Sequence, residues 1–253
     1  MTLTLANDLA LALDPAQLMA QCGLVPDSWQ ANLLCTDAQR LLLLCSRQAG
    51  KSTVTSILAL HEALYRPPAL VLLLSPSMRQ STELLLKVLD CYRKLDHSVA
   101  SEMESALRLE LTNGSRIISL PGKEETIRGF SGVSLLVIDE ASRVPDDLYF
   151  AVRPMLAVSG GRLVALSTPF GKRGWFHKEW TEGQDWHRVK ITAQDCPRIS
   201  PVFLEQERQS MPPLWFASEY LCEFVETEDT VFRHEDIQAM FETDAQPLFG
   251  GKR

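Results

Sequence analysis

Two short segments carry side chains whose types suit the hydrolysis of a nucleoside triphosphate. Residues 50–53 read Gly-Lys-Ser-Thr after the largely apolar run 40–45, and Asp139 and Glu140 follow the apolar run 134–138. A lysine and a hydroxyl at a helix N-terminus can bind phosphates and Mg²⁺. Two carboxylates at the end of a buried strand can bind the metal and orient an attacking water. The two segments together predict nucleotide hydrolysis.

The first segment predicts a phosphate-binding loop between a strand and a helix. In this interpretation Lys51 reaches the β- and γ-phosphates, and Ser52 binds Mg²⁺. The usual signature is G-x-x-x-x-G-K-[ST]; here Gly50 is its second glycine, but Cys45 stands at the position of the first. A G-K-S-T alone also occurs by chance, so a helix that simply begins after a glycine is the alternative.

The acidic pair supports the nucleotide interpretation. The run before Asp139 has the continuous apolar character of a strand in the middle of a parallel sheet. Ligands bind at the carboxyl ends of such strands. We therefore expect Asp139 to bind Mg²⁺ through water, and Glu140 to act as the base that orients and activates water. Two solvated charges at the start of a loop are the alternative.

The pattern of apolar residues predicts an α/β protein with a mostly parallel sheet covered by helices. Asn113-Gly114 between two alternating segments predicts a β-hairpin over 107–120. The predicted strands are 40–45, 69–75, 107–112, 115–120, 134–139, 162–167 and 186–191. The predicted helices are 51–65, 77–95, 145–157, 201–210 and 214–224.

Composition limits the function classes. No run approaches the roughly 20 apolar residues of a membrane span, so we expect no membrane partner. The six cysteines are scattered without metal-ligand spacing, which indicates neither a zinc site nor a disulfide framework. A net charge of −7 is unusual for a nucleic-acid-binding protein. Candidate DNA contacts, or ordinary solvated charges, are Arg79, Lys87, Lys172 and Arg173.

The ordered motifs resemble the N-terminal ATPase domain of the DNA-packaging terminase large subunit of tailed phages and herpesviruses. Ser46 to Ser52, which contains an arginine and lacks the first glycine, looks like the terminase variant of the phosphate loop. The other segments that carry the resemblance are Asp14-Pro15, Gly23, Pro26 to Gln30, Thr126 to Gly129, Ser167 to Pro169 and Glu219 to Phe224.

The resemblance implies ATP and Mg²⁺ as cofactors and assigns a role to each matching residue. Trp29 would pack near the base and the amide of Gln30 would pair with the adenine edge, although a buried Trp with a capping Gln is the alternative. The hydroxyl of Thr168 would hydrogen-bond the γ-phosphate or the attacking water and report the loss of phosphate, although an ordinary turn at the end of a strand is the alternative. The predicted ATP-binding residues are Trp29, Gln30, Ser46, Arg47, Gln48, Ala49, Gly50, Lys51, Ser52, Thr53 and Thr168; the predicted metal ligands are Ser52 and Asp139.

Glu140, Lys51 and two arginines form the predicted catalytic set. We favour Arg128 as an arginine finger presented to a neighbouring subunit, worth roughly 10³–10⁵ in rate. Arg47 would be a sensor within its own subunit, or would be held by a carboxylate in the empty state. A surface salt bridge is the alternative for either arginine.

The implied fold is a P-loop NTPase of the ASCE/RecA-like class, with a β-hairpin. The expected divisions are an N-terminal helical, adenine-binding lid element (1–35), the ATPase core (36–228) and a linker or tail (229–253). Terminase large subunits also carry a nuclease domain. The sequence ends at residue 253, either as an excised ATPase domain or as a natural chain that stops there, and in both cases we expect no DNA cutting by this chain.

The implied function is a motor that drives double-stranded DNA into a viral procapsid, in the cytoplasm of the host cell. Its implied partners are DNA, further copies in a ring that is usually a pentamer, the portal protein and the small terminase subunit. Two alternatives remain: a superfamily-2-like helicase half, since 139–142 resembles a D-E-A-x box, and a non-hydrolysing, nucleotide-gated assembly module.

Overall fold

The computed structural model describes residues 5–95, 99–122, 127 and 129–226. These residues form an eight-stranded sheet in the order β3-β4-β5-β2-β6-β7-β1-β8. Neighbouring strands are parallel except for β3 with β4 and β4 with β5, which are antiparallel. The strands are β1 Arg40–Cys45, β2 Leu70–Ser75, β3 Ser101–Glu104, β4 Arg108–Leu111, β5 Arg116–Pro121, β6 Leu135–Asp139, β7 Arg162–Ser167 and β8 His187–Ile191.

Helices cover both faces of the sheet. In chain order they are α1 Leu5–Leu13, α2 Pro15–Gln21, α3 Ser28–Leu34, α4 Lys51–Tyr65, α5 Met78–Lys94, α6 Asp146–Val152, α7 Gly174–Thr181, α8 Pro201–Ser210 and α9 Pro213–Leu221. Short 3-10 turns cover Ala141–Arg143, Arg153–Leu156 and Ala193–Asp195. The predicted mostly parallel α/β fold with a hairpin at 107–120 is confirmed.

The central strands are apolar along most of their length, and their side chains pack into two hydrophobic cores. In β1, Leu41 and Leu43 belong to the core under α4 and α5, whereas Leu42 and Leu44 belong to the core that holds Tyr149 of α6. Successive side chains of a strand point to opposite faces, and both faces are buried here. Burial on both faces holds each strand in place, and this positions the residues that follow its carboxyl end.

Several elements differ from the sequence prediction. The helix predicted over 145–157 ends at Val152 and continues as a 3-10 turn, because Pro154 has no N–H to donate. The helix predicted to reach residue 224 ends at Leu221, where Cys222 adopts a left-handed conformation with φ 57°. Strand β3 was not predicted, because Ser101–Glu104 is a largely exposed edge without apolar alternation. Helix α7 was also not predicted.

No helix in the described ranges combines the length and the apolar character that crossing a bilayer requires.

Candidate nucleotide-binding site

The loop between β1 and α4 has the backbone of a phosphate-binding loop. Gln48 and Gly50 both have positive φ, 57° and 93° respectively, so the chain curls before it enters the helix. Lys51 is the first residue of α4 and is buried. Its ammonium donates a hydrogen bond to the carbonyl of Ser46 across 3.1 Å, which closes the loop around its own backbone. The free N–H groups at the start of α4 therefore face the cavity of the loop.

The remaining predicted loop residues are placed around this turn. Ser46 is fully buried and its N–H donates to the carbonyl of Ile191 on β8 (2.8 Å). Ala49 is fully buried, whereas Ser52 and Thr53 are half-buried in the first turn of α4. The backbone of the loop is thus held against β8, and the two hydroxyls lie where the helix begins.

The acidic pair lies at the carboxyl end of β6, as the sequence predicts. Asp139 is 7% exposed, and its Oδ1 accepts the N–H of Glu140 at 3.0 Å. Burial, together with the neighbouring Glu140 carboxylate, raises the pKa of Asp139 to about 6, although Lys51 partly opposes that rise. A buried carboxylate whose ionised form is disfavoured gains most from a nearby cation. A carboxylate and a hydroxyl, as Asp139 and Ser52 provide, are oxygen ligands of the kind that suit Mg²⁺.

The backbone of Glu140 turns its side chain towards the cleft. Glu140 has φ 49°, a left-handed conformation that is costly for a residue with a Cβ. Its carboxylate lies 3.9 Å from Nε of Arg143, at the end of the same 3-10 turn. Such strain is common where a side chain must be aimed at a reacting group.

The end of β7 is fastened to the acidic pair through Ser142. The hydroxyl of Ser142 lies 2.6 Å from that of Ser167 and donates to the carbonyl of Thr168 at 2.9 Å. Thr168 is 3% exposed and lines the same cleft as Glu140. Sequence reasoning did not assign Ser142, although its position two residues after Glu140 could have marked it.

These groups surround one open cleft of about 780 Å³. Because β7 lies between β6 and β1, the ends of all three strands meet there. The lining residues are Arg47, Gln48, Gly50, Lys51, Ser52, Gln80, Lys87, Glu140, Arg143 and Thr168. Gln80 and Arg143 were not predicted. Lys87 was a candidate DNA contact, and the structure places it on the wall of this cleft.

Arg47 is exposed and is paired with a carboxylate from a distant helix. Its guanidinium contacts both carboxylate oxygens of Glu219 on α9, one of them at 3.3 Å from Nη2. The backbone N–H of Arg47 also donates to the carbonyl of Glu219 (3.2 Å). The sequence left two roles open for Arg47, and the structure shows the arginine held by a carboxylate.

Of the two predicted adenine-binding residues, Gln30 lies against the phosphate loop and Trp29 packs on the core. Gln30 is buried, and its Oε1 accepts the N–H of Asp27 at 2.9 Å, so its carbonyl caps α3. Its Nε2 packs on the loop, where a Cβ added to Gly50 would lie only 2.6 Å away. Trp29 is half-buried against the core under α4, and its Nε1 has no hydrogen-bond partner among the described residues. Gln30 therefore caps α3, as in the alternative interpretation, while its amide nitrogen faces the phosphate loop.

Arg128 and Thr126 lie outside the described residues. Their neighbour Ile127 is buried, and Gly129 has φ 120°.

Comparison with known proteins identifies the family of the chain. A family model described as the terminase large subunit, T4likevirus-type, N-terminal, matches residues 42–239. The chain belongs to this terminase family. The matched region contains residues 42–45 of β1, the phosphate loop, the acidic pair and Thr168.

Sequence relatives agree with this family. The large terminase subunit of Thermus virus P23-45 is 24% identical, in an alignment that covers 85% of this chain and 52% of that protein. The large terminase subunit of Escherichia phage T5 is 26% identical over 228 residues, covering 85% of this chain and 51% of that protein. The chain therefore spans about half the length of the curated relatives it matches.

Solved structures share the fold. The large terminase ATPase domain of Thermus phage P74-26 has a TM-score of 0.75 at 22% identity, over 84% of this terminase chain and all of that one. The large terminase of a thermophilic bacteriophage, solved in complex with ADP, has a TM-score of 0.60 at 16% identity, over 84% and 54% of the two chains. The fold is therefore that of a large terminase ATPase domain, which confirms the predicted P-loop class.

Proposed function

We propose that this chain is a Mg²⁺-dependent ATPase domain that powers the packaging of double-stranded viral DNA. One observation carries the proposal: Lys51, Ser52, Glu140 and Thr168 come together at the adjacent ends of β1, β6 and β7, around one cleft. Separate segments of the sequence would thus supply a phosphate ligand (Lys51), a metal ligand (Ser52) and a base (Glu140) to the same cleft. Family membership supports the packaging role, and none of the comparisons favours a helicase half or a non-hydrolysing module.

Lys51 and the metal ligands would stabilise the triphosphate. The Lys51 ammonium would exchange its hydrogen bond with the Ser46 carbonyl for the β- and γ-phosphates, a short movement because the loop already surrounds it. Ser52 and Asp139 would hold Mg²⁺, which would supply positive charge to the phosphate oxygens. Burial of Asp139 strengthens its attraction for that charge.

Glu140 would orient water and accept its proton. Its left-handed backbone presents the carboxylate to the cleft, and Ser142 holds the adjacent segment to Thr168. The hydroxyl of Thr168 would sense the γ-phosphate. Because Ser142 bonds the carbonyl of Thr168, loss of phosphate would be transmitted between the ends of β6 and β7.

Arg128 from a neighbouring copy would complete the site, and Arg47 would act within its own subunit. On this proposal the working form is a homo-oligomeric ring, a pentamer by family likeness, at the portal of a procapsid in the host cytoplasm. Double-stranded DNA, the portal protein and the small terminase subunit are the proposed partners. The proposed divisions are an N-terminal element over 1–35, a core over 36–228 and a linker over 229–253.

The test is phosphate release measured against protein concentration for the wild type, Glu140→Gln and Arg128→Ala. A rate per subunit that rises with concentration, is lost in both variants and returns when they are mixed supports a ring with a trans-acting arginine. Glu205→Gln on the exposed face of α8 is the matched control. Glu140→Gln that hydrolyses at the wild-type rate contradicts the assigned base. Full activity in Arg128→Ala moves the finger role to Arg47.

A further inference from the structure

Arg198 connects two parts of the proposed ATP site that lie far apart in the sequence. It lies in the loop between β8 and α8. Its Nη1 lies 2.7 Å from Oδ1 of Asp27, directly before α3, and its Nη2 donates to the carbonyl of Ala49 in the phosphate loop at 2.9 Å. One guanidinium therefore bridges the N-terminal element and the phosphate loop.

Gln30 and Arg198 pack closely on the phosphate loop, on the side of Gly50 that faces α3. A Cβ added to Gly50 would lie 2.6 Å from Nε2 of Gln30 and 3.1 Å from Nη2 of Arg198. Both side chains thus pack on the same face of Gly50, next to the first residue of α4. Any shift of α3 relative to the loop would disturb these contacts.

Arg198 also compensates the charge of Asp27. The side chain of Asp27 is only 10% exposed, and its Oδ2 is buried without a hydrogen-bond partner among the described residues. Arg198 is the cation that pairs with this carboxylate. A planar guanidinium can reach two oxygens at once, whereas a lysine ammonium on a flexible stem cannot reproduce that fork.

We infer that Arg198 is a positioning residue that couples the base-binding element to the phosphate loop, so that the identity of the base changes the affinity for the triphosphate. The inference rests on the proposed function. With Arg198 present, α3 and the loop form one rigid pair, and a base that fits against Trp29 and Gln30 gains the full contacts of the phosphates as well. Without Arg198, α3 would bind the base and the loop would bind the phosphates independently, and the difference in affinity between ATP and GTP would become smaller.

The experiment is calorimetric binding of ATP, GTP and inorganic tripolyphosphate, each with Mg²⁺, to the full chain. The proteins are wild type, Arg198→Ala, Arg198→Lys, Asp27→Asn and the double variant Arg198→Ala/Asp27→Asn. Arg208→Ala, which removes an exposed arginine paired at 4.0 Å with Glu205 on α8, is the matched control. Urea denaturation of every variant confirms that it is folded.

We expect the wild type to prefer ATP, and Arg198→Ala to weaken ATP about 5- to 20-fold while GTP and tripolyphosphate change by less than about 3-fold. Arg198→Lys should resemble Arg198→Ala. Because both residues act through one contact, the double variant should bind ATP no more weakly than Arg198→Ala. Asp27→Asn weakens the same bridge without leaving a buried carboxylate unpaired, and serves as the folded test if Arg198→Ala is unstable.

Three results would overturn the inference. Unchanged ATP binding in Arg198→Ala and Asp27→Asn would show that the bridge has no functional role. An equal loss for ATP, GTP and tripolyphosphate would show that Arg198 only shapes the loop. A wild type that binds tripolyphosphate but does not distinguish ATP from GTP would remove the coupling and leave the proposed phosphate site intact, whereas a wild type that binds none of the three would contradict the proposed function itself.

Discussion

The guanidinium of Arg47 is paired with the carboxylate of Glu219, although 172 positions separate the two residues. A backbone hydrogen bond between the same residues adds to this contact. The phosphate loop is therefore attached to α9, and Arg47 must leave Glu219 before it can reach a phosphate.

Glu219→Gln should tighten ATP binding about two- to fivefold, because an exposed ion pair contributes roughly 0.2–1 kcal/mol and the variant removes that competitor for Arg47. ADP, which lacks the γ-phosphate, should bind with nearly unchanged affinity. Calorimetry with both nucleotides measures the difference, and Glu223→Gln on the exposed side of the same segment is the control. Weaker ATP binding in Glu219→Gln would show that Glu219 shapes the loop and does not compete for Arg47.

Ser142→Ala should lower kcat about tenfold and leave KM for ATP nearly unchanged, because the hydroxyl joins the segment after Glu140 to Thr168 but does not face the nucleotide. The lost hydrogen bonds should also cost about 1 kcal/mol of unfolding free energy. Ser159→Ala is a matched control, since its hydroxyl bonds the carbonyl of Val133 at the opposite end of the sheet. If both variants lose stability but keep kcat, the link from Ser142 is structural only.

Asp139→Asn should be more stable than the wild type at pH 7 when Mg²⁺ is removed by a chelator. The pKa of Asp139 is raised to about 6 from 3.8, so the folded protein holds this proton more tightly than the unfolded chain does. Ionisation therefore lowers the stability of the wild type as the pH rises from about 4 to about 6. The difference should be on the order of 3 kcal/mol at pH 7 and should vanish near pH 4.

Urea denaturation of both proteins at the two pH values measures this effect. Equal stability at pH 7 would mean that Asp139 ionises without a cost in the folded protein, which would contradict the role of its burial.

Gly50→Ala should destabilise the protein and abolish tight nucleotide binding. Its φ of 93° is unfavourable for alanine, and the new Cβ would press on Gln30 and Arg198. Gly23→Ala is the matched control, because Gly23 has φ 77° with no atom within 4 Å of the added Cβ. Both should lose about 1–2 kcal/mol from backbone strain, and Gly50→Ala should lose more. If denaturant titrations show equal losses of unfolding free energy in the two variants, Gln30 and Arg198 can move to accommodate the new Cβ at little cost.

Most of the fold could be predicted from the sequence, because the strands and helices carry strong local patterns. The uninterrupted apolar run before Asp139 indicates a strand buried on both faces, and Gly50 before Lys51 indicates where α4 begins. Elements with weak local signals were missed. Strand β3 is an exposed edge that forms by pairing with β4, and α7 is a short helix whose Trp175 stacks on Tyr149 of α6 at 3.8 Å.

The sequence by itself predicted the chemistry of the site, because Lys51, Ser52, Asp139 and Glu140 each follow a strand whose end is recognisable from the chain. Only the tertiary structure decided which distant residues contact the phosphate loop and the cleft. Glu219 and Arg198 reach the phosphate loop from segments that follow β8, and Lys87 reaches the same cleft from α5. Contacts of this kind depend on the order of strands in the sheet and on how helices pack across it, and no local pattern in the sequence records a pairing between residues so far apart.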